Sequence, residues 1–252
     1  MSRPIPKRLE QEPLLEAVWE IRFEGDSMLP VSEMLPGLLF AELRDEFPHI
    51  VRLPAADIPR PIARDNPAMR YMPTVRLQGA DDFPFIVQIG AHVISLNNRR
   101  PYAGWATFSQ RIRQLAELLK SKDIIRKPER YSLKYLDLIE LDSRPTLSGL
   151  NVALQLGEHD LSQRPVQLRS EIADPPYLHV VQIACPAEVQ MPGAQRRSGT
   201  LMDMDTVREA SPDEDFWAML DASLDEAHAR AKQLFFGLLK HETEQRLGPV
   251  YE

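Results

Sequence analysis

Phe83-Pro84-Phe85-Ile86-Val87-Gln88-Ile89 and Tyr177-Leu178-His179-Val180-Val181-Gln182-Ile183 carry Val-Gln-Ile at the same offset. Both stretches are dense in β-branched and aromatic residues, the composition of a strand packed on at least one face. Each sits at the same place in a longer order: an alternating strand, a helix, further strands, and a helix with a tryptophan in its first turn, Trp105 or Trp217. That order defines an α+β chain and predicts two repeats of strand, helix, antiparallel strands and long closing helix. The predicted repeats are residues 1–124 and 125–252.

Working outward, Glu16-Ala17-Val18-Trp19-Glu20-Ile21-Arg22-Phe23 alternates apolar and polar side chains, the period of a half-buried strand. A helix follows, opened by Pro36, with Leu38, Leu39, Leu43 and Phe47 recurring at helical spacing. Six prolines between residues 48 and 73 exclude a helix or a central strand there and allow one edge strand. Strands are predicted over 74–78 and, as one long element, over 83–96, with a turn at 79–82. Asn97 to Tyr102 read as a loop. Trp105, Phe108, Ile112, Leu115 and Leu119 then form the stripe of an amphipathic helix.

In the second half, strands are predicted over 131–141, 166–172, 177–191 and 200–208, with a short helix over 146–156. The longest helix is predicted from Ser211 to Leu247. Ser211, Pro212 and Glu214 resemble a capping box, and Asp213 and Asp215 suit the helix dipole. Its stripe runs through Phe216, Leu220, Leu224, Ala227, Ala231, Leu234 and Leu238, and Phe235 and Phe236 spread apolar surface to further faces. Such excess predicts a patch for self-association or for a protein partner. The order of elements resembles saddle-like and helix-grip folds, in which a curved sheet wraps its closing helix.

The segments 15–23, Val87-Gln88-Ile89-Gly90, Asn97 with Pro101-Tyr102-Ala103-Gly104-Trp105 and Phe108, Tyr135-Leu136 with Ile139, and Leu201-Met202-Asp203-Met204-Asp205 resemble a sporadically distributed bacterial family of unknown function. Pro-Tyr-x-Gly-Trp is its most specific mark, and the resemblance covers the whole chain. Lys127-Pro128-Glu129-Arg130 departs from the family pattern. The patchy distribution implies an accessory gene, as in phage-defence or mobile islands. It carries over no catalytic residue.

With 252 residues, 43% of them hydrophobic and 27% charged, the chain is long enough to bury a full core. A net charge of −7 argues against a broadly basic nucleic-acid surface and leaves a local arginine patch open, since 23 of the 30 basic residues are Arg. Codon usage is the plainer reading of that bias. A lone cysteine, Cys185, excludes an internal disulfide and a thiolate-rich metal site. The N-terminal residues lack an apolar signal core and no apolar run is long enough to span a membrane, which predicts a cytoplasmic protein.

Asp203 and Asp205 fall on one strand face, with Met202 and Met204 on the other. Two such carboxylates could hold a divalent cation if Asp137 or Glu140 supplied a third. The plainer reading is a solvated strand face. No histidine spacing matches a metal motif, and no phosphate loop, serine elbow or cofactor signature is present. Asn97, Arg99, Arg100 and Tyr102 form a candidate ligand- or partner-binding cluster, or else a turn leading into a helix. Gln88 and Gln182 would be a matched polar pair in a sheet cavity. The sequence therefore predicts a non-enzymatic binding or assembly module. The alternative is a metal-dependent enzyme acting on nucleotides or phosphoesters through Asp203 and Asp205.

Overall fold

The computed structural model describes residues 4–24, 31–59, 66, 69–125, 127–190 and 196–251. Met1 to Arg3, Pro61, Pro67 and Met191, on which parts of the sequence reading fall, lie outside the described residues. The fold is α+β. Its main sheet is antiparallel, with nine strands: β2 (Leu14–Glu24), β3 (His49–Arg52), β4 (Pro73–Gln78), β5 (Phe85–Gly90), β6 (Val93–Arg99), β7 (Lys127–Ile139), β10 (Val166–Asp174), β11 (Tyr177–Val189) and β12 (Arg197–Glu209). Their order is β10-β11-β12-β7-β2-β6-β5-β4-β3. Two short pairs join β1 (Arg8–Leu9) to β13 (Pro249–Val250), and β8 (Gln155–Leu156) to β9 (His159–Asp160). Among the described residues the helices are α1 (Val31–Leu43), α2 (Trp105–Lys122), α3 (Phe216–Leu238) and α4 (His241–Arg246). None is long and apolar enough to cross a membrane.

The chain divides into two compact units. One comprises Glu16–Leu133 and Val207–Asp225; the other comprises Met1–Leu15, Lys134–Thr206 and Glu226–Glu252. In the first unit, the alternation at 16–23 buries Ala17, Trp19, Ile21 and Phe23 completely. Register pairs Trp19 with Leu96 and Ile21 with Ile94, and these in turn with Val87 and Ile89. Helix α2 seals that face: its stripe Phe108, Ile112, Leu115 and Leu119 is buried, and the Phe108 ring stacks on Phe85 with centroids 6.4 Å apart. Asp123, in the left-handed conformation, ends the helix after Lys120 and Lys122.

The second unit has a separate core of Ile139, Leu147, Leu150, Val181, Ile183, Met202, Met204 and Leu239 among others. Phe235 is only 8% exposed in this core, and Leu234, Phe236 and Leu238 pack against it. The excess apolar surface that the sequence predicted as an exposed patch is therefore taken up by the unit's own core.

Several boundaries differ from expectation. The predicted strand 83–96 is a hairpin, β5 turning at Ala91-His92 into β6. Asn97 and Asn98 lie inside β6 and are buried rather than looped out. The region 146–156 holds a single 3-10 turn, Leu147–Gly149, in place of a helix. The closing helix begins at Phe216, because Asp215 Oδ1 accepts from the Trp217 and Ala218 amides at 2.9 and 3.2 Å. Glu214 instead meets Arg208. That helix stops at Leu238, where Asn151 Nδ2 donates to the carbonyls of Gly237 and Leu239 at 2.9 and 3.0 Å. Leu239 then bridges Leu150, and α4 starts afresh. The edge strand allowed among the prolines is present as β3.

Candidate functional site

Because strand side chains alternate, burying Trp19 and Ile21 beneath α2 sends Glu16, Glu20 and Arg22 to the other face. Register completes that face. Arg76 pairs with Gln88, Gln88 with Ser95 and Ser95 with Glu20, a polar ladder running across β4, β5, β6 and β2. The next rows add Asn97 opposite Val18 and Ile86, and Arg99 opposite Glu16.

The carboxylates of this face are already engaged. Glu16 Oε1 accepts from Asn97 Nδ2 at 2.9 Å, and Ser95 Oγ donates to Asn97 Oδ1 at 2.7 Å. Glu20 Oε1 accepts from Arg22 Nε at 2.7 Å and lies 3.8 Å from Arg130 Nη2. The Arg22 guanidinium also covers the Tyr71 ring at 4.3 Å, and Tyr71 donates to Glu129. Arg76 and Arg99 differ. Neither forms an ion pair among the described residues, and the Nε of each is one of eight buried side-chain atoms there that no hydrogen bond reaches. A buried donor left unmade costs about 1–3 kcal/mol, more when it carries charge. Two half-buried guanidinium forks thus flank a row of amide and hydroxyl groups, an arrangement that recognises carboxylate or phosphate oxygens.

Of the predicted cluster, Gln88, Asn97 and Arg99 share this face. Arg100 is half-buried beyond the end of β6. Tyr102 is not on it: its ring packs edge-on to Phe108, on the α2 side, as does Trp105. The Pro-Tyr-x-Gly-Trp signature has a local structural task. Asn98 accepts from the Ala103 amide and donates to the Arg99 carbonyl, both at 2.9 Å, and Gly104 takes φ +83 to start α2. Sequence reasoning missed Arg76, Ser95, Arg22 and Arg130. The period-two position of Arg76 between Val75 and Leu77 was the available signal. Beside the helices, Trp105 Nε1 donates to Asp225 at 2.7 Å and Arg113 bridges Asp221 and Asp225. An open groove of about 890 Å³ lies there, lined by Trp105, Arg113, Glu117 and Asp225 among others.

In the other unit, Gln182 Nε2 donates to Asp203 Oδ2 at 3.4 Å, so these two lie on one face. Met202 and Met204 fill the core on the opposite face, as the alternation predicted. Burial holds the Asp203 carboxyl above the ordinary range, Lys134 opposes that shift, and Asp205 adds to it. Asp137 does not join them: it shares the face of Tyr135, whose hydroxyl meets His228 on α3 at 2.8 Å. Glu140 is paired with Arg197. Among the described residues no three His, Cys, Asp or Glu side chains are grouped as a metal requires. His179 is buried, with Nδ1 3.0 Å from Thr206 Oγ1 and Nε2 3.3 Å from Asp174 Oδ2. Cys185 is buried beside Thr200, and burial pushes its thiol up.

No protein-family model matches this chain, and no curated protein sequence matches it.

Proposed function

We propose that the chain is a non-enzymatic binding and assembly module of an accessory system, built from two copies of one sheet unit. The copy containing Gln88 takes a ligand with carboxylate or phosphate groups. The observation that carries the reading is the pair Arg76 and Arg99, which form no ion pair among the described residues on a sheet face where Glu16 and Glu20 are already bonded. Duplication is supported by strand order. Outward from β2 run β6, β5 and β4, and outward from β7 run β12, β11 and β10, with α2 following β6 and α3 following β12. Gln88 pairs with Arg76 on β4, and Gln182 pairs with Arg169 on β10. The accessory role follows from the family resemblance.

The alternative, a metal-dependent phosphoester enzyme, draws support from Asp203 and Asp205 lying on one strand face. A thermal-shift titration separates the two, using inorganic phosphate, citrate and ATP, each with and without Mg²⁺ or Mn²⁺. Binding stabilises by about 2.7 kcal/mol at 100 times Kd. The expected result is a metal-independent rise in Tm that an Arg76→Gln/Arg99→Gln variant abolishes. No rise with any anion, or a rise the variant keeps, overturns the binding reading. A rise that needs metal and is lost in Asp203→Asn/Asp205→Asn establishes the alternative.

A further inference from the structure

The nine-stranded sheet ends in two strands that differ in kind. At one end β3 has four residues, closed off by Pro48 and Pro54. At the other, β10 has nine residues, pairs with β11 along its whole length without a register shift, and contains neither proline nor lysine. Its residues 169–173 are exposed, Ile172 by 40%. Among the described residues no strand pairs with its outer edge. Proteins normally blunt a long regular edge with proline, charged side chains or a bulge; β10 has no proline, lysine or bulge, and its charges Arg169 and Glu171 are of opposite sign.

We propose that this edge is a dimer interface, with β10 of a second copy of the chain adding antiparallel to it about a two-fold axis at Ser170. The sequence of the strand selects both partner and register. With Ser170 opposite Ser170, Arg169 faces Glu171 of the second copy, and Glu171 faces its Arg169. On the other sheet face Leu168 meets Ile172 twice. Apolar pairs thus gather on the face where Leu168 lies opposite the core residue Ile183, and ion pairs gather on the face where Arg169 lies opposite Gln182. Slipping the axis to Arg169 opposes two guanidiniums, and slipping it to Glu171 opposes two carboxylates, each unfavourable. Arg169 and Glu171 already pair within the strand, Nη2 to Oε1 at 2.6 Å, so both side chains are held over the face where the exchange occurs. A two-fold pair of this kind is closed, which stops the edge from propagating into fibres. The inference concerns a different part of the molecule from Arg76 and Arg99 and stands or falls independently of anion binding.

Sedimentation velocity on the full chain from about 1 μM to about 1 mM, a span that brackets weak protein association, tests it. The expected result is a reversible monomer–dimer equilibrium. Arg169→Glu and Glu171→Arg each weaken it by about tenfold, and the double exchange restores it to within about threefold, because the facing pairs are regenerated. Ile172→Lys weakens it by at least about tenfold. Tm measured on dilute protein confirms that each variant is folded. A chain that stays monomeric over the whole range overturns the proposal. So does a dimer indifferent to these four variants, or an exchanged double variant as weak as either single one.

Discussion

Gly199 and Gly237 respond oppositely to the same methyl group. Gly199 is buried in β12, and a Cβ there would overlap the Ile139 carbonyl oxygen and lie 3.0 Å from both the Ile139 carbonyl carbon and Leu138 Cδ1. Two of those three atoms are backbone, so β7 itself would have to move. Overpacking of this kind costs about 1–3 kcal/mol. Alanine returns about 0.4–1 kcal/mol by restricting the unfolded chain, leaving Gly199→Ala destabilised by about 1–2 kcal/mol. Gly237 is exposed in the last turn of α3, and nothing lies within 4 Å of its added Cβ. Gly237→Ala therefore gains about 0.5–1 kcal/mol of helix preference. For a chain of this size each kcal/mol moves Tm by about 2–4 °C. Calorimetry should show Gly199→Ala melting about 2–8 °C lower and Gly237→Ala about 1–4 °C higher. Urea titration should place the changes in the midpoint with the slope unchanged. A neutral Gly199→Ala, or two shifts of the same sign, would refute the close approach of β12 to the end of β7.

Asp215→Ala removes the acceptor for two first-turn amides of α3, so stability should fall by about 1 kcal/mol in urea unfolding, and Asp215→Asn should recover most of it. Asp203 gives a pH signature. Its carboxyl is raised above the ordinary value of 3.8, so the folded chain holds a proton that the unfolded chain has released, and wild-type stability falls as pH rises through that window. Asp203→Asn carries no charge to desolvate; its Tm should match wild type below pH 3.8 and exceed it increasingly at higher pH. A constant difference across pH 3 to 7 would show that burial does not govern this carboxyl.

Much of the architecture was legible because local patterns and tertiary packing agree. The period-two stretch 16–23 and the stripe from Phe108 to Leu119 formed the strand and helix they encode. The failures have nonlocal causes. β5 and β6 read as one strand because β-forming residues surround a turn marked by a single glycine, Gly90. Asn97 and Asn98 read as loop because their amides favour turns. In the structure Glu16, far away in sequence, and the 98–103 loop satisfy those amides inside the sheet. The end of α3 is set by Asn151, a residue 86 positions from Gly237, which no helix-stop rule consults. Ser211 and Glu214 form a turn, and the next carboxylate, Asp215, takes over the capping role.

The site was legible only in half. Gln88 stood out as half of the matched Val-Gln-Ile pair with Gln182, whereas Arg76 stood in ordinary alternation and acquired meaning only when register placed it beside Gln88. The difference between Asn98 and the arginines then gives the site its weight. Asn98 is completely buried, yet both ends of its amide bond to its own loop, so its polarity is consumed in building the entry to α2. Glu16 and Glu20 are likewise matched within the sheet face. Arg76 and Arg99 each bury an Nε whose hydrogen bond the fold does not supply. On the proposed reading, an added anion would meet these two forks beside a ladder whose carboxylates are already bonded.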